Sequence, residues 1–195
     1  MIEITRAGPE RLAALCSLLG RAFIAEPMLQ WSMAIHGDVV PRLTKQFELF
    51  NETLVDAGML WEAGTALGAA VWIPADAGEA YDHAFDASRR AVHALTDDGG
   101  SRWDAFWDWV ESHLPDEPVW HLDAVAVEPE ARGTGVGAAL VNHGLERARA
   151  DGAPAFLETG TARNVPLYEH FGFRTVKATE APGGGPTIWF MRWDP

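Results

Sequence analysis

The sequence predicts an α/β fold of the α+β kind: a mixed, mostly antiparallel central sheet flanked by helices, in a single domain spanning residues 1–195. Three observations lead there. At 195 residues, 48% of them apolar, the chain can bury one core of ordinary size. Its apolar residues recur at every second position in some stretches and at helical spacing in others, so strands and helices are mixed. Two pairs of adjacent strand-like runs are joined by glycine-bearing turns, and such pairs are antiparallel.

Ile2 and Ile4 alternate with polar residues, as in a short first strand. Gly8-Pro9-Glu10 opens a helix with Leu12, Leu15, Leu18, Leu19, Ala22 and Phe23 at helical spacing. Pro27 and Gly37 punctuate the chain before a second helix from about Val39 to Val55, with Leu43, Phe47 and Phe50 inward. Met59-Leu60-Trp61 and Leu67 to Ile73 form a hairpin across Gly64, stopped by Pro74. Ala77 to Leu95 reads as helix, broken by Asp97-Asp98-Gly99-Gly100, and Ser101 is placed to cap the next helix. That helix carries Trp103, Phe106, Trp107 and Val110, which read as core packing, with the walls of a substrate pocket as the alternative. Val119 to Val127 is a strand, Gly135 to Ala150 a helix, Ala155 to Glu158 a strand, and Val165 to His170 a short helix. Phe173 to Val176 and Thr187 to Trp193 close the chain as paired strands around Pro182-Gly183-Gly184-Gly185-Pro186.

Composition narrows the function. No apolar run approaches the ~20 residues of a membrane helix, and Met1 to Arg6 lacks the character of a signal peptide. Cys16 is the only cysteine, so no internal disulfide forms and a cytoplasmic setting is expected. The net charge of −13 and the absence of a basic stripe argue against nucleic acid as a partner. An acidic protein favours a cationic ligand such as an amine, unless the charge serves solubility alone.

The most informative segment is Arg132-Gly133-Thr134-Gly135-Val136-Gly137, set between a strand and a helix and followed by Ala138. Glycines let a ligand approach the backbone, and the helix start presents free N–H groups and a positive dipole end. Together these suit a pyrophosphate. The Walker loop requires a Gly-Lys-Ser/Thr ending and the dinucleotide fingerprint a G-x-G-x-x-G order, and neither is present. The pattern R-x-x-G-x-G after V-x-P is present, in Arg132, Gly135 and Gly137 after Val127 and Pro129.

This pattern resembles motif A of the GCN5-related N-acetyltransferase (GNAT) superfamily. Asn164-Val165-Pro166-Leu167-Tyr168-Glu169-His170-Phe171-Gly172-Phe173 is similar to a later motif of the same superfamily, and the stretch from Glu117 to Pro195 most resembles its puromycin N-acetyltransferase-like members. The resemblance implies a sheet splayed between its two central strands. It also implies acetyl-CoA as cosubstrate, with no metal, and direct transfer of an acetyl group to a primary amine of a small molecule or aminoacyl compound. A peptide or protein acceptor, and a non-catalytic acyl-CoA-binding domain, are the alternatives. Homodimers are common in the superfamily.

By resemblance, the backbone of Val125, Ala126 and Val127 holds the pantetheine arm, and the N–H groups from Gly133 through Thr134, Gly135, Val136 and Gly137 to Ala138 hold the diphosphate. Arg132 adds charge at the entrance, and Asn164 contacts the arm unless it is an ordinary helix cap. Tyr168 matches the tyrosine that protonates the departing thiolate in many relatives. A phenol with its ordinary pKa of about 10 carries the needed proton at neutral pH. His121 and Glu158 are the candidate bases, directly or through water. By period-two alternation His121, Asp123, Val125 and Val127 share one strand face. Glu26 is a further candidate for binding a cationic acceptor. Cys16 is not needed, because no acyl-enzyme forms.

Overall fold

The computed structural model describes residues 2–195, with the backbone only for Glu79, Ala80 and Ala84. Seven strands form one sheet in the order β1-β2-β3-β4-β5-β7-β6. They are β1 (Ile4–Arg6), β2 (Leu60–Ala63), β3 (Gly68–Ile73), β4 (Trp120–Val127), β5 (Ala155–Thr159), β6 (Arg174–Glu180) and β7 (Thr187–Trp193). All neighbours run antiparallel except β4 and β5. That parallel pair is joined at Trp120–Ala155 and His121–Phe156 alone, after which the strands part. The expected mixed, mostly antiparallel sheet with a central splay is therefore present.

Helices cover both faces. On one side lie α1 (Leu12–Ala22), α2 (Pro27–Met33), α3 (Val39–Asp56), α4 (Gly78–Val92) and α5 (Ser101–Glu111). On the other lie α6 (Val136–Ala150) and α7 (Val165–His170). Leu15, Leu19, Leu43, Phe47 and Leu54 join Leu60, Val71 and Ala126 in the core of the first side. Leu140, Val141 and Leu145 join Trp61, Trp72, Leu122 and Leu157 in the core of the second. Cys16 is buried in the first core, and burial pushes its thiol up to about 12, so it behaves as an apolar filler. Among the described residues no single helix is long and apolar enough to cross a membrane.

Five local expectations change. Pro27 begins α2, because a proline at the first helical position gives up an N–H that has no helical partner anyway. Ser101 lies inside α5, its hydroxyl bonded to Asp98 O, and Gly100 in the left-handed region precedes the helix. The first strand is Ile4–Arg6, and β6 runs on to Glu180 as an exposed edge.

The fifth change concerns β4. Val71 pairs with Ala124 and Trp72 with Leu122, so Asp123 is an extra residue opposite the β3 ladder. Such a bulge rotates the strand and resets its alternation. Trp120 and Leu122 pack toward α6, but beyond the bulge Ala124 and Ala126 pack toward α1 and α3, and Val125 and Val127 toward α6. His121 and Asp123 therefore do not share a face with Val125 and Val127.

Helix α6 lies on β3 through Trp72, whose indole N–H donates to Leu140 O at 3.2 Å. A methyl group at Gly144 would fall 2.0 Å from the Trp72 ring. Gly144→Ala is expected to destabilise the fold by about 1–3 kcal/mol and to lower the melting temperature by roughly 3–10 °C, measured by thermal unfolding.

Candidate active site

The site occupies the gap left where β4 and β5 part. From Leu122 onward the edge of β4 facing β5 has no strand beside it, while its other edge stays bonded to β3. A cleft of about 910 Å³ runs along this free edge past Val125, Ala126, Val127, Arg132, Asn164 and Tyr168. A groove of about 600 Å³ continues it between the start of α6, at Gly137 and Ala138, and α7, at Leu167 and Tyr168.

The loop at the mouth is shaped by its glycines. Gly133 at φ +76° and Gly135 at φ +91° occupy the left-handed region that side chains disfavour. Gly135 ends the loop, and its carbonyl accepts the first helical bond, from Ala139 N–H at 2.9 Å. The N–H groups of Val136, Gly137 and Ala138 thus lie outside the helix ladder. Thr134 ties its hydroxyl to Ala131 O at 2.6 Å. The Val136 side chain is buried in the core, so that residue offers a ligand only its backbone. Arg132 is exposed at the mouth.

Tyr168 is buried against Phe173 and lines both the cleft and the groove. Burial, with the charges of Glu26 and Glu158, pushes its phenol well above the usual range. Asn164 donates to Thr159 Oγ1 at 3.3 Å and makes no capping bond to α7. Glu26 accepts bonds from Gly160 N–H (3.0 Å) and the Thr161 hydroxyl (2.8 Å). Its carboxylate pins the turn after β5 and also lines the cleft.

A second cavity, a narrow chamber, opens on the other side of the β4–β5 gap under α3, α4 and α5. Its floor holds His121, Asp123 and Glu158. Asp123 and Glu158 also line the cleft, so the two cavities meet at these carboxylates. His121 Nε2 and Glu158 Oε2 are 2.8 Å apart, with side chains 12% and 3% exposed. Burial opposes a charge on His121, but the Glu158 carboxylate, its hydrogen bond and Asp123 outweigh that and raise the imidazole pKa. Burial pushes Asp123 up to about 6, with Glu158 adding and His121 opposing.

The structure thus brings His121 and Glu158 together and places Tyr168, Asn164, Arg132 and Val125–Val127 on one cleft. Asp123 and the aromatic chamber were not among the site residues chosen from sequence. Trp103 and Trp107 prove to be both core and wall. The only signal for Asp123 was its place two residues from His121, and a bulge cannot be read from alternation.

Comparison with known proteins agrees with this geometry. The sequence pattern of the acetyltransferase (GNAT) family matches residues 62–173. A peptidyl-lysine N-acetyltransferase, YjaB, of Escherichia coli is 30% identical over 37% of this chain and 60% of that protein. A glucosamine 6-phosphate N-acetyltransferase of Trypanosoma brucei brucei is 36% identical over 29% of this chain and 38% of that one. The chain therefore matches less than two thirds of the length of these curated relatives. A crystal structure from Corynebacterium glutamicum, described as histone acetyltransferase HPA2 and related acetyltransferase, superposes with a TM-score of 0.71. It is 25% identical, covering 100% of this chain and 96% of that one.

The Asp123 carboxyl binds its proton more tightly when folded, at about 6, than an ordinary aspartate in the unfolded chain, at 3.8. Between those pH values the folded state holds more protons, so this residue's contribution to stability falls as pH rises through the window and stays low above it. Asp123→Asn is expected to melt above wild type at pH 7.5, by on the order of 1–3 kcal/mol, and level with it below pH ~4. Paired thermal melts at the two pH values check this; a variant less stable than wild type at pH 7.5 contradicts it.

Proposed function

The chain belongs to the acetyltransferase (GNAT) family, and from that premise we propose that it carries an acetyl group from acetyl-CoA to a primary amine of a small molecule or aminoacyl compound, by direct attack. The observation that carries this reading is the meeting of two cavities at Asp123 and Glu158, one suited to the coenzyme and one to an acceptor.

The cleft fits the coenzyme on its own features. The free edge of β4 can pair with an extended amide-bearing arm as an added strand would. The unladdered N–H groups at the start of α6 face the loop where a diphosphate would lie. The space beside Gly133 is open for 4 Å around the position a Cβ would take. When bound, acetyl-CoA supplies an activated thioester and a thiolate leaving group.

The remaining work falls to this chain. Val125 to Val127 orient the thioester carbonyl, and a backbone N–H there polarises it. An amine at neutral pH arrives mostly as ammonium and must lose a proton. The Asp123 carboxylate, ionised above about pH 6, stands where the two cavities join, with the His121–Glu158 pair beside it to share the proton. Tyr168, which carries its proton at neutral pH, is the phenol on this cleft that protonates the sulfur as it leaves.

Within the family we assign the chain to the puromycin N-acetyltransferase-like members, on the segments Pro154 to Thr159 and Arg163 to Glu169. The titratable His121 departs from that type. A peptide acceptor is the second reading, and the likeness to a peptidyl-lysine N-acetyltransferase favours it.

Acetyl-CoA at 100 times its dissociation constant is expected to stabilise the protein by about 2.7 kcal/mol. Gly135→Val, which puts a β-branched side chain at φ +91°, is expected to abolish that shift while the protein stays folded. Unchanged melting of wild type with saturating acetyl-CoA contradicts the coenzyme site.

Tyr168→Phe is expected to lower kcat by about 10²–10⁴-fold and leave acetyl-CoA affinity nearly constant, because the lost interaction belongs to the transition state. Single-turnover kinetics with an accepted amine measure it. Equal rates would remove Tyr168 from the acid role, and the coenzyme site would stand.

A further inference from the structure

The acceptor chamber is more specific than the reaction requires. Its walls include Phe47, Phe50, Tyr81, Phe85, Trp103 and Trp107. These rings hold one another in a chain of contacts: Phe50–Tyr81 at 6.1 Å, Tyr81–Phe85 at 6.0 Å, Phe85–Trp107 at 6.5 Å and Trp103–Trp107 at 5.4 Å. A flat apolar guest meets ring faces and edges already fixed in place.

Among the described residues, three of the six buried polar side-chain atoms without partners belong to residues that line this chamber. Gln46 Oε1, Trp103 Nε1 and Trp107 Nε1 are buried with no hydrogen-bond partner among the described residues, and all three residues line the chamber. Two other buried indoles are satisfied: Trp72 bonds Leu140 O at 3.2 Å and Trp120 bonds Asp151 Oδ2 at 2.9 Å. Leaving a buried polar group unpaired is costly, so two donors and one acceptor together mark a place where a guest supplies the missing partners.

Charge completes the selection. The ionisable residues lining the chamber are Tyr81, Glu111, His121, Asp123 and Glu158, with no lysine or arginine. Burial raises the Glu111 carboxyl, with Arg89 opposing and the charges of Asp108, Asp86 and Asp82 adding. An anionic group entering here would find carboxylates and, apart from His121, which Glu158 already pairs, no cation.

We infer that the acceptor is a primary amine on an aromatic body, without an anionic group, carrying at its far end a neutral polar group that both accepts and donates hydrogen bonds. The amine lies at Asp123 and Glu158, the body between the rings, and the polar end against Gln46, Trp103 and Trp107. This rests on the acetyltransferase reading.

The test is thiol release from acetyl-CoA with tyramine, 2-phenylethylamine, phenylalanine, glucosamine 6-phosphate, spermidine and a lysine peptide, beside thermal-shift binding of acetyl-CoA alone. Tyramine is expected to have the highest kcat/KM, about tenfold above 2-phenylethylamine, the size of one well-made hydrogen bond, and phenylalanine is expected to be at least as far below 2-phenylethylamine. Trp107→Phe, shown to be folded by its acetyl-CoA shift, is expected to shrink the tyramine advantage. Preference for spermidine, the sugar phosphate or the peptide overturns the inference while the acetyltransferase reading survives. So does a tyramine advantage that Trp107→Phe leaves intact. Absence of both acetyl-CoA binding and any transfer overturns the two together.

Discussion

The early parting of β4 from β5 is the constraint on which the rest of this molecule depends. After two residue pairs the parallel ladder ends, and every backbone group beyond it on that edge of β4 needs water or a ligand. The gap gives the cleft one wall and joins it to the chamber beneath α3, α4 and α5. The bulge at Asp123 lies at the point of separation. One extra residue twists the strand, turns a carboxylate into the junction and reverses which side each later residue faces. The free edge of β4 and the acid at its foot thus begin at one local irregularity.

The same irregularity has an energetic consequence. Asp123, His121 and Glu158 gather ionisable groups where water is scarce, and a protein of this size has only a small net stability to set against that. The His121–Glu158 contact at 2.8 Å offsets part of the desolvation. Asp123 has no hydrogen bond of that kind, and its raised pKa measures the strain that remains. Strained carboxyl groups in a cleft are characteristic of sites where a proton must be moved. The buried acid pair makes structural sense beside a cationic ligand, which would relieve the repulsion it carries.

The layer formed by α3, α4 and α5 serves two purposes with one set of rings. Trp103 and Phe47 are buried in the core, and both also line the chamber. Aromatic side chains allow this because each has a broad apolar face and few rotatable bonds, so one face packs while another forms a wall. Polar tips on such rings need partners. The fold supplies them for Trp72 and Trp120; for Trp103 and Trp107 the indole N–H is left without a partner among the described residues.

The sequence by itself determined the parts that depend on near neighbours. Gly133, Gly135 and the helix after them were legible as a glycine turn of a kind that suits a phosphate, because positive φ, glycine and a helix start are local properties, and they lie within a few residues. The hairpin of β2 and β3, helix α6 and the short helix bearing Tyr168 were legible for the same reason. Tertiary structure decided the rest. The joining of His121 to Glu158 links residues 37 positions apart on two strands that meet for only two pairs, and no period in either segment encodes that meeting. Glu26 was drawn to the turn after β5 across 134 residues. The reversal of faces along β4 was hidden because a bulge depends on the ladder of the neighbouring strand, whereas alternation is counted along one strand alone.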